Sequence, residues 1–208
     1  MTDQAGTGLP GTGGTLAVID MQRVFAEPGS PWLAPRFAEI VEPVRRLAEA
    51  FRPNVVFTRF VAPAQPHGAW QQYYQQWPFA LQPPGARIYE LADPFAAMAG
   101  QTLDATTFSK WGPDLAARAG PGPLVLAGVS TDCCVLSTAV AAADAGIGVR
   151  VVADACAGAG APAASWARMA GRPKASVTTK PRTSATSTPT LANAQAPFFP
   201  PRPSGPSR

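Results

Sequence analysis

The chain has 208 residues, of which 46% are hydrophobic and 14% charged, enough for one globular domain of ordinary size with room for a tail. Its three cysteines, two of them adjacent, exclude the disulfide framework of a small secreted protein, and its one histidine excludes a histidine-rich metal site. No run approaches the roughly 20 apolar residues needed to span a bilayer, and the first residues lack the basic and apolar blocks of a signal peptide. We therefore expect a cytoplasmic protein that contacts no membrane and uses no metal ion or other cofactor.

The formal net charge of +4 originates at the end of the chain. Residues 1–154 hold all 13 acidic side chains and ten basic ones, whereas residues 155–208 hold seven basic side chains and no acidic one. A nucleic-acid-binding domain normally carries its basic residues in a stripe or a recognition motif, and none is visible here. We therefore expect no nucleic-acid partner.

Strands and helices are predicted from continuous apolar runs and from apolar residues at helical spacing. In chain order they are a strand at 15–21, a helix at 36–51, a strand at 54–60, a short strand region at 102–110, a helix at 112–120, a strand at 123–128, a helix at 131–145 and a strand at 149–155. Strands that alternate with helices in this way run parallel. The sequence therefore predicts an α/β fold with a doubly wound, mainly parallel sheet and helices on both faces.

Three segments fall outside this alternation. Residues 1–14 are rich in Gly and Thr and predict a disordered leader. Residues 61–86 form a long connection rich in Pro, Gln and aromatic residues, which indicates either a lid or pocket wall, or equally rings that only seal a helix or a dimer face. After Asp154 the remaining 54 residues hold nine Pro and twelve Ser or Thr, so we expect a folded domain at 15–158 and a basic, mostly disordered tail at 159–208.

Reactive side chains follow three of the predicted strands. Asp20 closes the first strand, Lys110 follows the third, and Cys134 lies just beyond the fourth, in the first turn of a helix. The carboxyl ends of parallel strands share one edge of the sheet, where sites form. A thiol at a helix N-terminus has its pKa lowered toward a thiolate, and free backbone N–H groups lie beside it. The pattern therefore predicts a nucleophile and an oxyanion site, the two parts that acyl transfer needs.

Each of these residues also has a structural interpretation. Cys133 and Cys134 could both be small buried hydrophobic residues, Asp20 could cap the turn after its strand, and Lys110 could be solvated. Lys110 is nevertheless the only lysine in residues 1–154, where arginine occurs nine times. A compact ammonium group suits a small buried site, which favours the functional interpretation.

Three sequence blocks carry a resemblance to a known family: VIDMQRVF, FSKWGPDL and GVSTDCCVLSTAVAAADAGIGVRVVADA. They resemble the isochorismatase-like cysteine hydrolase superfamily, which includes nicotinamidases and N-carbamoylsarcosine amidohydrolases. The resemblance implies that Asp20 is the base, that Lys110 accompanies it and that Cys134 is the nucleophile. It also implies a cis peptide bond between Val129 and Ser130, with the N–H groups of Ser130 and Cys134 forming the oxyanion hole.

Two differences from the family pattern disfavour two of the activities found in the family. The metal-binding nicotinamidases carry an Asp and two His after the second strand, where this chain offers only His67. True isochorismatases lack the nucleophilic cysteine. We therefore expect a metal-independent cysteine hydrolase that cleaves an amide or carbamoyl-type C–N bond of a small molecule through a thioester. The alternatives are a non-catalytic binding or assembly protein and an isochorismatase-type hydrolase.

An apolar pocket wall is predicted from aromatic residues near the strand ends or in the aromatic connection. These are Phe25, Trp77 and Trp111, and they would restrict substrates to flat or compact molecules. Cys133 points about 100° away from Cys134 on a helix, so it should lie to one side without a chemical role. The sequence is also compatible with a homo-oligomer.

Overall fold

The computed structural model describes residues 13–158 and the strand backbone of residues 175–178. Its strands are β1 (Thr15–Ile19), β2 (Val55–Phe60), β3 (Leu103–Ala105), β4 (Leu124–Val129), β5 (Val149–Ala157) and β6 (Ala175–Thr178). Its helices are α1 (Arg23–Ala26), α2 (Phe37–Ala50), α3 (Ala69–Gln76), α4 (Phe95–Met98), α5 (Pro113–Ala119) and α6 (Leu136–Asp144). Two 3₁₀ turns, Pro78–Ala80 and Arg87–Tyr89, follow α3, and a π-helical turn, Thr131–Val135, precedes α6.

The six strands form one sheet in the order β3, β2, β1, β4, β5, β6, and every neighbouring pair is parallel. The predicted α/β class with a doubly wound, mainly parallel sheet is therefore confirmed. From β1 the chain adds β2 on one side and later β4 on the other, so the strand order reverses between β1 and β4. In sheets of this kind, ligands bind outside the carboxyl ends of the strands at this reversal.

Alternate residues of β1 contribute to two hydrophobic cores on opposite faces of the sheet. Leu16 and Val18 pack in the core that includes α2, whereas Ala17 and Ile19 pack in the core that includes α5 and α6. All four side chains are fully buried. This two-sided burial explains why the strand is apolar without alternation, and it confirms the prediction of helices on both faces.

The connections on the β2 and β3 side differ in detail from the sequence prediction. The predicted strand region at 102–110 contains only the short β3, and the residues after it form the loop that carries Lys110. The aromatic connection at 61–86 contains the helix α3 and a 3₁₀ turn. Gln and Ala favour a helix at α3. The sequence analysis did not predict this helix, because the Pro residues on either side made the whole segment look like a loop.

The sheet continues past the predicted end of the domain at residue 158. β6 pairs in parallel with β5, from Val149 beside Ala175 to Val152 beside Thr178. An edge strand this short is held by backbone hydrogen bonds, which the Ser- and Thr-rich composition of the tail does not reveal. Residues 1–12, 159–174 and 179–208, which include most of the predicted leader and tail, lie outside the described residues. Within the described part of the chain, no helix is long and apolar enough to cross a membrane.

Gly128 lets the two central strands approach each other where they end. Gly128 pairs with Ile19, its φ is +115°, and a Cβ built on it would lie 2.1 Å from the Ile19 carbonyl oxygen. Only glycine fits both the conformation and the space. The close approach brings the residues that follow β1 beside those that follow β4.

Replacing Gly128 with Ala should lower the free energy of unfolding by about 2–5 kcal/mol, because the strands must separate and the backbone must leave its conformation. Gly29 is the matched control: its φ is +89°, but a Cβ would meet no atom within 4 Å. Gly29→Ala should therefore cost only the conformational part, about 1–2 kcal/mol. Urea denaturation of both variants measures the difference, and equal losses would contradict the proposed strand contact.

Candidate active site

Asp20 leaves β1 in an unusual backbone conformation that aims its carboxylate into the protein. Its φ is +49°, which Asp tolerates better than most residues, and the side chain is fully buried. The Thr58 hydroxyl donates to Asp20 Oδ1 at 2.8 Å and accepts from the Asp20 N–H at 3.3 Å. One threonine on β2 thus holds both the backbone and the carboxylate of Asp20.

Lys110 reaches the same point from the loop between β3 and α5. Its Nζ lies 2.9 Å from Asp20 Oδ2, and neither side chain has any exposed surface. The ammonium also donates to the Thr107 carbonyl at 3.0 Å and lies 4.9 Å from the centre of the Phe60 ring. The alternative that Lys110 is solvated is therefore wrong, and the two predicted residues form a buried ion pair.

Gln22 fixes the strand ends around this pair. It is fully buried, and its Nε2 donates to the carbonyls of Phe60 at 3.0 Å and Tyr89 at 2.9 Å. Its Oε1 accepts from the Phe60 N–H at 2.8 Å. The carboxyl ends of β1 and β2 are thereby tied together and to the turn at Tyr89. The sequence analysis quoted Gln22 but gave it no role; a polar residue directly after a buried strand is the signal that could have found it.

Cys134 follows β4, in the π-helical turn that opens the predicted helix at 131–145. The Val129–Ser130 peptide bond is cis, as the resemblance implies. The Ser130 carbonyl accepts the N–H groups of both Cys133 and Val135 at 3.1 Å. Cys134 is 4% exposed and packs in the same core as Ile19, the residue before Asp20. The thiol therefore lies on the reversal of strand order, as Asp20 does.

The electrostatics of Cys134 differ from the sequence prediction. Its pKa is raised well above the ordinary value, mainly by the hydrogen bond with the Cys133 thiol, then by burial and by the Asp20 charge. The Lys110 ammonium opposes these effects but does not overcome them. This direction is opposite to the lowering expected for a thiol at a helix N-terminus, because the hydrogen bond with Cys133 and burial both favour the neutral thiol. The site at rest combines a charged Asp–Lys pair with a neutral thiol.

The three predicted wall residues belong to two groups of contacts. Phe25 and Trp77 both contact Trp32, with ring centroids 6.1 Å and 6.2 Å from it. Trp111 packs instead against the core that contains Cys134. Trp32 also contacts Phe60, 5.7 Å away, so the rings around Trp32 reach the ring beneath the Lys110 ammonium. The sequence analysis missed Trp32, a lone aromatic residue in a loop of Ser and Pro.

Tyr73, on α3, is a second residue that the sequence analysis did not single out. Burial raises the pKa of its hydroxyl, and electrostatic interactions with Cys133, Tyr74, Cys134 and Tyr89 raise it further. Its ring lies 5.9 Å from Trp32. The spacing of Trp70, Tyr73 and Trp77 by three and four residues is the helical signal that could have identified this face.

Within residues 13–158, no three His, Cys, Asp or Glu side chains lie close enough together to hold a metal ion. His67 is exposed in the loop before α3. The absence of a metal ion from the reaction remains a prediction.

Fold and site together define an α/β protein with an acid, a lysine and a cysteine at the carboxyl edge of a parallel sheet. The family model described as the isochorismatase domain matches residues 15–181, and the chain belongs to this family. No curated protein matches the chain.

Solved structures share the fold at low sequence identity. A nicotinamidase from Bacillus subtilis is 24% identical, with a TM-score of 0.62 over 78% of this chain and 97% of that one. An N-carbamoylsarcosine amidase from Thermoplasma acidophilum is 23% identical, with a TM-score of 0.60 over 78% and 94% of the two chains. A cysteine hydrolase from Pseudomonas syringae pv. phaseolicola 1448A is 23% identical, with a TM-score of 0.61 over 72% and 75%. These similarities establish the shared fold.

Removing the lysine should destabilise the protein strongly. Lys110→Met leaves the buried Asp20 carboxylate without its counter-charge and should lower the free energy of unfolding by about 3–5 kcal/mol. The double variant Asp20→Asn/Lys110→Met removes both charges and should recover much of that loss. Urea denaturation of the three proteins tests the coupling, and a double variant as unstable as Lys110→Met would contradict it.

Removing Cys133 should make Cys134 more reactive. Cys133→Ala eliminates the main cause of the raised Cys134 pKa, so more thiolate is present at a given pH and iodoacetamide should alkylate Cys134 about tenfold faster at pH 8. Cys133→Ser keeps a hydrogen-bonding group and should show a smaller increase. Tandem mass spectrometry locates the label on the peptide, and equal rates in all three proteins would refute this account of the thiol.

Proposed function

We propose that this protein is a metal-independent cysteine hydrolase that cleaves an amide or carbamoyl-type C–N bond of a small molecule. The observation that carries the proposal is the buried ion pair between Asp20 and Lys110, 2.9 Å apart, whose two charges act on the pKa of the Cys134 thiol. A fully buried ion pair is costly to the fold, and such groups cluster at functional sites. Membership of the isochorismatase family supports the same chemistry.

The first half-reaction uses Asp20 as base and then as acid. Because the thiol is neutral at rest, Asp20 takes the Cys134 proton as the sulfur attacks the substrate carbonyl carbon. The N–H groups of Ser130 and Cys134 stabilise the negative charge that develops on the carbonyl oxygen. The C–N bond then breaks, Asp20 returns the proton to the leaving nitrogen, and the acyl group remains on sulfur as a thioester.

The second half-reaction restores the thiol. Asp20 takes a proton from a water molecule, whose oxygen attacks the thioester carbon. The C–S bond breaks, the acid leaves, and Cys134 recovers its proton from Asp20. Lys110 stabilises the carboxylate between these transfers, and its positive charge also favours the transient thiolate.

Two features support independence from metal ions. The chain has a single histidine, His67, which is exposed. The described residues bring together no set of three possible metal-binding side chains. The proposed chemistry is also complete without a Lewis acid, because the nucleophile, base and oxyanion donors all come from the chain.

The aromatic surroundings favour flat or compact substrates. The Lys110 ammonium lies 4.9 Å from the centre of the Phe60 ring, which contacts the rings of Trp32 and Phe108 at 5.7 Å and 6.2 Å. Trp32 in turn contacts Tyr73 at 5.9 Å. Such rings exclude water and bind apolar faces. Phe25 and Trp77 support the wall through Trp32, and we propose that Trp111 contributes from the Cys134 side.

The test is a screen of small amides, carbamoyl compounds and ureas for ammonia release. Cys134→Ala should abolish any hydrolysis found, because it removes the covalent route, whereas Cys133→Ala should retain most of it. Cys134→Ser is a closer control, since it preserves size and a weak nucleophile. With the wild-type enzyme and a slow substrate, mass spectrometry should detect an acyl adduct on Cys134.

Two outcomes would overturn the proposal. Substantial turnover by Cys134→Ala would remove Cys134 from the mechanism, and an isochorismatase-type hydrolysis without a nucleophilic cysteine would then be the better assignment. Binding of screened compounds without turnover or adduct would favour a non-catalytic binding or assembly protein.

A further inference from the structure

The Thr138 side chain lies between the two segments that carry Lys110 and Cys134. It is fully buried in α6. Its hydroxyl donates to the Cys134 carbonyl at 2.7 Å and accepts from the Lys110 backbone N–H at 2.9 Å. The Thr138 hydroxyl therefore connects the turn that carries Cys134 to the loop that carries Lys110.

The Lys110 loop needs such an anchor. β3 ends at Ala105 and α5 begins at Pro113, so no strand or helix holds the backbone of Lys110. The hydrogen bond from Lys110 to Thr138 spans 28 residues of sequence inside the protein core. This hydrogen bond therefore holds the backbone of the Lys110 loop against α6.

The neighbouring residue, Ser137, bonds through its hydroxyl to the preceding turn of its own helix. Among the described residues its hydroxyl has no hydrogen bond to the Lys110 loop. Its hydroxyl donates to the Cys133 carbonyl at 2.7 Å, as Thr138 does to Cys134. Both bonds return four residues along the chain. The difference between the two residues is thus the bond to Lys110, which makes Ser137 a matched comparison.

We propose that Thr138 is a positioning residue that holds the Lys110 ammonium against the Cys134 thiol. This inference rests on the proposed function only in treating Cys134 as the nucleophile. The attraction between an ammonium and a developing thiolate falls with distance and is strong in a buried site. If the loop moves away, the one nearby charge that favours the thiolate is weakened, while Cys133, burial and Asp20 still oppose it.

The experiment measures the rate at which iodoacetamide alkylates Cys134 between pH 7 and pH 9, with tandem mass spectrometry locating the label. Thr138→Val keeps the shape of the side chain but removes the hydroxyl, and it should slow alkylation about three- to tenfold at each pH. Thr138→Ser restores the hydroxyl and should return the rate to within about twofold of wild type. Ser137→Ala should leave the rate unchanged.

Cys156 serves as an internal control for a loosened fold. It is buried, and burial raises its pKa to about 12, so it should react slowly in every variant. Slower alkylation of Cys134 in Thr138→Val with an unchanged rate at Cys156 supports the inference. An unchanged Cys134 rate, an equal effect of Ser137→Ala, or faster labelling of both cysteines would overturn it.

Failure of the inference can be distinguished from failure of the proposed function. Alkylation needs no substrate, so a selective effect of Thr138→Val supports the positioning role even if no screened compound is hydrolysed, a result that would count against the hydrolase alone. Once a substrate is found, Thr138→Val should lower kcat with little change in KM, because Thr138 acts on the chemical step through Lys110. A loss confined to KM would contradict this role.

Discussion

Two opposite charges, the Asp20 carboxylate and the Lys110 ammonium, face each other at 2.9 Å with no exposed surface on either side chain. Withdrawing both from water costs several kcal/mol per ion, and their attraction offsets this only with good geometry and further polar contacts. Here those contacts are the Thr58 hydroxyl on Asp20, with the Thr107 carbonyl and the Phe60 ring on Lys110. The ends of β1 and β2 and the loop after β3 together supply these contacts.

The two charges of the ion pair act on the pKa of the Cys134 thiol in opposite directions. Burial and Cys133 therefore decide the outcome and keep the proton on sulfur. A neutral thiol is a poor target for stray electrophiles. In the proposed reaction the thiol becomes a nucleophile only when Asp20 accepts its proton, which couples formation of the thiolate to attack on a bound carbonyl.

The parallel sheet, and the location of Asp20, Lys110 and Cys134 after its strands, could be predicted because parallel strands place their carboxyl ends at one edge and each residue follows a recognisable apolar run. Thr58 and Thr138 could not be predicted, since threonine in a strand or helix has many uses and only coordinates show its hydroxyl partners. The Cys134 pKa is a sum of opposing effects that depend on distances absent from sequence. β6 was missed because backbone pairing orders it in a segment of disordered composition.

The candidate site has two parts that are held together by different interactions. We call the strand ends bonded to Gln22 the floor of the site and the rings around Trp32 its wall. The floor consists of strand ends joined by backbone hydrogen bonds to one buried amide, which permit little change of side chain. The wall consists of rings from Trp32 and the aromatic connection, which contact one another through van der Waals surfaces. Ring contacts tolerate replacement by other apolar shapes. For the proposed hydrolase, exchanging the rings around Trp32 should therefore change substrate preference, while the hydrogen bonds of Gln22 to the strand ends stay unaltered.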